Sequence, residues 1–459
     1  MYVEDTIAAI ATPFGSGGIG IVRISGSAAE SIGLKLFRFA KGGGFKSHRL
    51  LYGHLIDPGS GSVIDEAMAV LMRAPNSYTR EDVLELHVHG GFYVVRRALQ
   101  ACLSLGARHA TPGEFTKRAF LNGRIDLAQA ESVVDVINSL GDSSLDLALR
   151  QAGGSVSQVV SDFRRNLIDV LALVEAHIDF PDEDISPDSV DLISARVSHI
   201  LSGVNDLIDS FRFGRVLREG AAVLLVGKPN AGKSSLLNAL TCEDRAIVSS
   251  VPGTTRDLIE EVVNIDGLPV RIIDAAGIRQ HSPDLVEQEG IKRTVDKLST
   301  ADLVLFLIDG SSPVDLDDFK ILSLVESKSY LVVLTKSDLG LSAATSGFLP
   351  EAAPVFNVSS KSLSGVAELR KSIFNFFVGS NAPPSSSSRV VVSSARHYNA
   401  LVIVRDRLSS FVMGAKSFLS PELLAVDLRD ALYALGEITG ETTPDDVLDV
   451  IFSSFCIGK

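Results

Sequence analysis

Lys233 and Ser234 close the run Gly227-Lys228-Pro229-Asn230-Ala231-Gly232-Lys233-Ser234, whose glycine spacing suits a loop that wraps phosphate. The apolar hexapeptide Ala221 to Val226 precedes it, and Ser235 to Leu240 follows with a helical pattern. The run therefore stands between strand and helix, where backbone N–H groups converge on anionic oxygens. In that setting Lys233 reaches the β- and γ-phosphates, and the Ser234 hydroxyl binds Mg²⁺. A glycine turn capping an ordinary helix would fit the same eight residues. Three later motifs, met in order, argue against that alternative.

The first is Gly253-Thr254-Thr255-Arg256-Asp257, where a mobile threonine can complete the Mg²⁺ shell only when a γ-phosphate is present. The second, Asp274-Ala275-Ala276-Gly277, ends an expected hairpin of Val262 to Ile265 and Val270 to Ile273, turned at Asp266-Gly267. Asp274 is placed to hold Mg²⁺ through water, and the Gly277 N–H to sense the γ-phosphate. The third is Thr335-Lys336-Ser337-Asp338, after the apolar strand Tyr330 to Leu334. Asp338 can accept from both N1–H and N2–H of guanine, an edge that adenine lacks, while the Lys336 stem packs on the ring. Ser359, Ser360 and Lys361 follow a short strand, Pro354 to Val358, and reach the guanine O6. Together these motifs specify GTP over ATP.

Many GTPases place glutamine directly after Asp-x-x-Gly to orient the attacking water. Here that position is Ile278, whose side chain has no polar atom. Hydrolysis then needs another water-positioner and another positive charge. Asn230 is a candidate ligand for a monovalent cation set where an arginine finger would otherwise reach. The acidic residues Asp284, Glu287 and Glu289 are candidates for the water.

The elements that position these residues are read from the rest of the chain. At 459 residues it is too long for one core and suggests about three domains. No apolar run reaches the ~18–20 residues of a membrane span. Cys102, Cys242 and Cys456 are scattered, and the first residues, Met1 to Asp5, carry no signal-peptide pattern; both fit a cytoplasmic protein. Net charge is −13, yet residues 1–124 hold 14 Lys+Arg against 10 Asp+Glu. That imbalance excludes a basic coat over the whole surface and confines any RNA contact to a local patch.

The fold class expected is α/β and α+β multidomain: a small α+β N-terminal domain over 1–122, a discontinuous helical domain over 123–218 plus 380–459, and an inserted Ras-like P-loop G domain over 219–379. Arg124 to Arg150, Phe163 to Ile178, Ala395 to Phe411 and Pro421 to Ile438 read as helices, and Ala382 to Ser388 as a polar connector. In the first domain, strands are expected at Thr6 to Ala11, Gly20 to Ile24, Ala67 to Met72 and Val83 to Val88, with helices at Ala28 to Phe39 and Phe92 to Leu105. The loop Gly15 to Gly20 mimics a dinucleotide fingerprint but precedes a strand, the wrong context for one. His87 and His89 share one strand face; with no third ligand evident, a hydrogen-bonded pair is favoured over a metal site.

The chain resembles the MnmE (TrmE) family of tRNA-modification GTPases over its whole length. The resemblance rests on Asp5-Thr6-Ile7-Ala8-Ala9, Gly18 to Gly26, Ser77-Tyr78-Thr79, Pro112 to Gly123, Asp126 to Glu131 and Phe455-Cys456-Ile457-Gly458-Lys459. It implies work with the flavoprotein MnmG (GidA), in a heterotetramer, to install an aminomethyl-type group on C5 of the tRNA wobble uridine. The one-carbon unit comes from a 5-formyl- or methylene-tetrahydrofolate derivative held by an N-terminal domain that also forms a homodimer. Carried over by motif, Arg23, Glu85 and Arg124 contact the folate and Lys459 closes the site, with Cys456 a candidate reactive thiol. Arginine at 124 keeps the charge of the family's usual lysine with a different geometry.

The same resemblance implies G domains that pair across their nucleotide faces, with K⁺ replacing an arginine finger. Asn230, Ser249, Val251 and Thr254 then ligate K⁺, Ser234 and Thr255 hold Mg²⁺, and Glu287 orients the attacking water. Nucleotide contacts fall on Asn230, Ala231, Gly232, Lys233, Ser234 and Ser235; on Ser249, Ser250, Val251, Pro252, Gly253, Thr254 and Thr255; on Asp274, Ala275, Ala276 and Gly277; and on Thr335, Lys336, Asp338, Ser359, Ser360 and Lys361. Three positions depart from the family pattern: Arg80 for glycine, Ala275 for threonine, and Thr335 for asparagine, the last expected to lower nucleotide affinity. Two other classes are weaker. A ribosome-assembly switch needs an RNA module such as a KH fold, and residues 380–459 hold no Gly-x-x-Gly loop. A folate enzyme with a degenerate G domain conflicts with intact Lys233, Ser234, Asp274 and Asp338.

Overall fold

Alternation of apolar and polar residues builds the first sheet. β1 (Ile7–Ile10), β2 (Ile19–Ser25), β3 (Phe37–Phe39), β4 (Leu50–Ile56), β5 (Val63–Met72), β6 (Val83–His89) and β7 (Arg108–His109) lie in the order β3-β4-β5-β6-β2-β1-β7. All pairings are antiparallel except β1 with β7. Val22, Ile24, Leu84, Leu86 and Val88 point to one face, where α1 (Ala29–Leu36) and α2 (Phe92–Ser104) bury Ile32, Leu36, Ala98, Leu99 and Cys102. The computed structural model describes residues 5–13, 15–179, 187–241, 260–274, 297–342, 349–350, 353–379, 390–417 and 419–458, without the side chains of 187–191, 260 and 274.

The chain divides into two compact units, one of residues 1–134, 152–164 and 432–459, the other of 135–151 and 165–431. The first unit adds α3 (Glu114–Leu121), the start of α4 (Leu127–Ile137) and a C-terminal helix, 445–453, whose Leu448 and Phe452 pack with Leu127, Ala130 and Phe455. The expected helix Ala28 to Phe39 stops at Leu36 because Phe37 turns extended to pair with β4. The span Arg124 to Arg150 is likewise two helices. The Ser144 hydroxyl takes the N–H groups of Leu140 and Gly141, ending one turn and starting α5 (Asp142–Ala152).

In the second unit, α6 (Ser155–Asp179, shared with the first), α7 (Pro187–Glu219) and a helix at 395–416 form the helical part. Phe211 stacks on Tyr398 with ring centroids 4.4 Å apart. Six strands follow: β8 (Ala221–Gly227), β9 (Glu260–Ile265), β10 (Leu268–Asp274), β11 (Leu303–Asp309), β12 (Tyr330–Thr335) and β13 (Val355–Asn357), in the order β13-β12-β11-β8-β10-β9. β8, β10, β11, β12 and β13 run parallel and β9 is antiparallel to β10. β8 is buried at all but its last residue, as a central parallel strand covered on both faces must be. α8 (Lys233–Thr241), α9 (Leu316–Val325) and α10 (Val366–Val378) flank the sheet. The hairpin turn falls at Asp266 (φ 52°) and Gly267 (φ 86°), as expected. The connector Ala382 to Ser388 lies outside the described residues. Among the described residues, no helix is long and apolar enough to cross a membrane.

Candidate functional site

Parallel α/β sheets present their ligand sites beyond the carboxyl ends of the strands. Here those ends are Gly227, Asp274, Asp309, Thr335 and Asn357, on five neighbouring parallel strands. The loop after β8 turns through Asn230 (φ 65°) and Gly232 (φ 90°) into α8. A Cβ at Gly227 would stand 2.5 Å from the Leu307 carbonyl oxygen, so glycine is needed where β8 meets β11. Lys233 is buried, and its Nζ donates to the Gly227 and Lys228 carbonyls at 2.6 Å each. Those are loop-internal bonds that a phosphate can replace. Asn230 is exposed on the loop, Ser234 and Ser235 are exposed in the first turn of α8, and Ala231 is buried between them in sequence.

Thr335 answers for the asparagine it replaces. Its Oγ1 lies 2.8 Å from the Ala231 carbonyl oxygen and 3.1 Å from that of Ile308, tying the base motif to the phosphate loop. A hydroxyl has one proton, so it donates to one of the two at a time. Lys336 (φ 56°) pairs with Asp309 at 2.6 Å. Burial pushes the Asp309 carboxyl up, but Lys336 and Ser311 outweigh it and hold the group below its ordinary range. The Ser359 hydroxyl donates to Asp338 Oδ1 at 2.7 Å, orienting that carboxylate from a second loop. Ser360 is half-buried and Lys361 exposed beside them. The structure thus brings together the phosphate-loop, Thr-Lys-Ser-Asp and Ser-Ser-Lys motifs, while the Asp274 backbone ends β10 in register with Leu225. Ser249, Ser250, Val251, Pro252, Gly253, Thr254, Thr255, Ala275, Ala276, Gly277, Ile278, Asp284, Glu287 and Glu289 lie outside the described residues.

The sequence reading missed Lys228. Its ammonium group sits 2.8 Å from Asp315 and 2.7 Å from Asp318, at the first turn of α9. The signal was a basic residue at a variable position of the loop, which spacing alone cannot assign.

A second constellation stands in the first unit. Register places Arg23 opposite Glu85, and their side chains meet at 2.9 Å (Nε–Oε1) and 2.8 Å (Nη2–Oε1). His87 Nε2 lies 3.3 Å from the other Glu85 oxygen. The bond from His87 and the charge of Arg23 hold the Glu85 carboxyl below its ordinary range against the opposing effect of burial. The Arg23 guanidinium lies 5.7 Å from the Tyr78 ring centroid, and Arg124 lies 4.7 Å from the same ring while donating to the Tyr78 carbonyl at 3.0 Å. Arg23 also approaches the Gly458 carbonyl at 3.4 Å, which brings the C-terminal segment to this face. Arg23, Glu85 and Arg124 therefore converge around Tyr78. Two guanidinium donors beside a carboxylate acceptor suit a planar ligand with N–H groups on one edge and an anionic tail. Cys456 is exposed nearby in sequence, its carbonyl accepting from the Gly113 N–H at 3.3 Å; Lys459 lies outside the described residues. Burial pushes the Cys102 thiol up to about 12, which leaves it an inert core residue.

His87 and His89 serve different carboxylates, His89 Nδ1 lying 2.8 Å from Asp65, and no metal-holding cluster occurs among the described residues. Arg80 adopts φ 60°, the left-handed conformation that explains a glycine at this position, and its Nη1 donates to the Asn122 carbonyl at 2.9 Å.

Two family models match the chain. Residues 6–124 match the family model for the GTP-binding protein TrmE N-terminus, and 127–456 that for the MnmE helical domain. The tRNA modification GTPase MnmE of Geobacter sulfurreducens is 54% identical over 459 residues, covering all of both chains. That of Geobacter metallireducens is 51% identical over 460 residues, again with full coverage of both. Among solved structures, an Aquifex aeolicus Era variant bound to GDP and AlF4⁻ matches at 26% identity and TM-score 0.28, over 40% of this chain and 66% of that one. The G domain of T. maritima FeoB matches at 26% identity and TM-score 0.26, over 34% of this chain and 98% of that one. Matched end to end by relatives and along its length by the two models, the chain belongs to the MnmE family of tRNA-modification GTPases.

Proposed function

We propose that this chain is a K⁺-stimulated GTPase that acts with the flavoprotein MnmG and a tRNA to build an aminomethyl-type (carboxymethylaminomethyl) group on C5 of the wobble uridine. The observation that carries the nucleotide half is the convergence of Lys233, Thr335, Asp338 and Ser359 at the carboxyl ends of parallel strands. In this reading Ser234 and Thr255 hold Mg²⁺, and Asn230, Ser249, Val251 and Thr254 hold K⁺. Glu287 orients the attacking water that Ile278 cannot. The convergence of Arg23, Glu85 and Arg124 supports the second half, with Lys459 closing that site. A tetrahydrofolate derivative supplies the one-carbon unit when bound there. Glu85 accepts from its pterin edge, Arg124 takes the anionic part, and Cys456 is the adjacent candidate thiol.

The domain limits proposed are 1–122 for folate binding and homodimerisation, 123–218 plus 380–459 for the helical domain, and 219–379 for the G domain, in a cytoplasmic protein. GTP turnover in KCl against NaCl at matched ionic strength tests the reading. A rate that rises in K⁺, loses its K⁺ response in Asn230→Ala and collapses in Glu287→Ala supports it. Equal rates in both salts overturn the K⁺ mechanism.

A further inference from the structure

Lys228 occupies the second position of the phosphate loop, and both ends of the residue are engaged. Its carbonyl accepts from Lys233 Nζ at 2.6 Å and from the Ala231 N–H at 3.2 Å, across the turn that contains Asn230 in its left-handed conformation. Its ammonium group bridges Asp315 and Asp318. These two carboxylates already cap α9 reciprocally: Asp315 accepts from the Asp317 and Asp318 N–H groups, and Asp318 Oδ2 accepts from the Asp315 N–H at 3.1 Å. Asp318 is 1% exposed, and its Oδ1 is buried with no hydrogen-bond partner among the described residues. The cap itself is complete through Asp318 Oδ2 and Asp315, so α9 does not require an ammonium ion from the loop. A buried carboxylate with one oxygen unpaired does require the charge of Lys228.

We infer that Lys228 is a positioning residue for the nucleotide: its ion pair with buried Asp318 fixes the loop turn that carries Asn230 and the carbonyl holding Lys233. The inference rests on the phosphate-loop reading of residues 227–234. Without the ammonium strut the turn at 228–231 loses its tie to α9 and keeps its internal 3.2 Å bond, the Lys233 bond to the Lys228 carbonyl and the Thr335 bond to the Ala231 carbonyl, so more of the loop's order must come from the nucleotide on each binding event. The predicted signature is an affinity defect larger than any loss of fold.

The test uses the full-length chain and a fluorescent GDP analogue, with KM and kcat for GTP and thermal unfolding measured alongside. Lys228→Met should weaken binding and raise KM at least tenfold, and Lys228→Arg should restore both to within about threefold, since arginine keeps the charge. Lys228→Met also strands the Asp318 charge, so the double variant Lys228→Met/Asp318→Asn separates the two effects. Removing both charges should return the melting temperature towards that of the parent while KM stays raised. A KM that recovers with the melting temperature, or a wild-type KM in Lys228→Met, overturns the inference. Lys233→Ala keeps the underlying reading separate: unchanged GDP binding there sinks the phosphate-loop assignment and this inference together, whereas lost binding there with wild-type Lys228→Met sinks the inference alone.

Discussion

Thr335 and Arg80 show how a departure from a family pattern is accommodated by one atom or one torsion. The Thr335 hydroxyl joins β12 to the phosphate loop from a site only 2% exposed. Thr335→Val removes that proton at nearly constant volume and leaves the Ala231 carbonyl unpaired, a loss of about 1–3 kcal/mol. The expected outcome is GTP and GDP binding weakened by roughly tenfold with GTP preference over ATP retained, because Asp338 is untouched; an isothermal titration of both nucleotides checks it. Arg80 is a conflict of two terms. Its left-handed φ costs about 1–2 kcal/mol relative to glycine, offset by a single exposed bond to Asn122. Arg80→Gly should therefore raise the denaturation midpoint or leave it unchanged, whereas Arg80→Ala, which keeps the strain and loses the bond, should lower it. A destabilised Arg80→Gly would show that the bond outweighs the torsion.

At the scale of elements, close approach sets the strictest demands. Helix α7 passes the segment before the 395–416 helix at Gly214, where a Cβ would lie 2.2 Å from the Val392 carbonyl oxygen. Gly214→Ala must push backbone apart and should cost about 2–3 kcal/mol, an overpacking effect readable in a urea unfolding curve. A near-neutral Gly214→Ala would contradict the packing described for this pair. Elements of this kind also mark how far sequence was legible. The phosphate loop, the 266–267 turn and strands β8 and β12 were readable because glycine spacing and unbroken apolar runs are local signals. Helix α7 was not, since its polar and apolar residues are spread around the helix and its partners lie about two hundred residues away in sequence. Strand β3 was absorbed into a helix because Phe37 and Phe39 suit both patterns, and only pairing with β4 decides between them. For the sites, motif residues were legible and their supports were not: Glu85 was named, but Tyr78 between two arginines and Asp318 under Lys228 are visible only after folding.

At the scale of the whole molecule, a buried ionic network in the first unit ties distant stretches of sequence to pH. Arg118 is 2% exposed and holds Asp5, Glu81 and Glu114, joining the start of β1, the loop before β6 and α3. Arg108 shares Asp5 and Glu114 at 2.5 Å each. The bond from Arg108, reinforced by Arg118, lowers the Asp5 carboxyl; burial raises that of Glu114, but the two arginines and the Thr111 N–H leave it lowered overall. A carboxyl lowered in the folded chain adds stability above its unfolded value and loses it as pH falls through the folded value. The network should therefore stabilise this unit fully at neutral pH and fail progressively below about pH 4, where free carboxyls begin to protonate. Arg118→Met removes the buried counter-charge, costing about 3–5 kcal/mol at pH 7 because three carboxylates lose a partner. The same change should cost less at pH 3.5, below the unfolded values of Asp5 and Glu114, where the stability contributed by those two lowered carboxyls is being lost. Hydrogen exchange of peptides spanning β1 and α3, compared between the two pH values after correction for intrinsic rates, reads this directly. Protection lost equally at both would mean that Arg118 acts through packing of its stem rather than through charge.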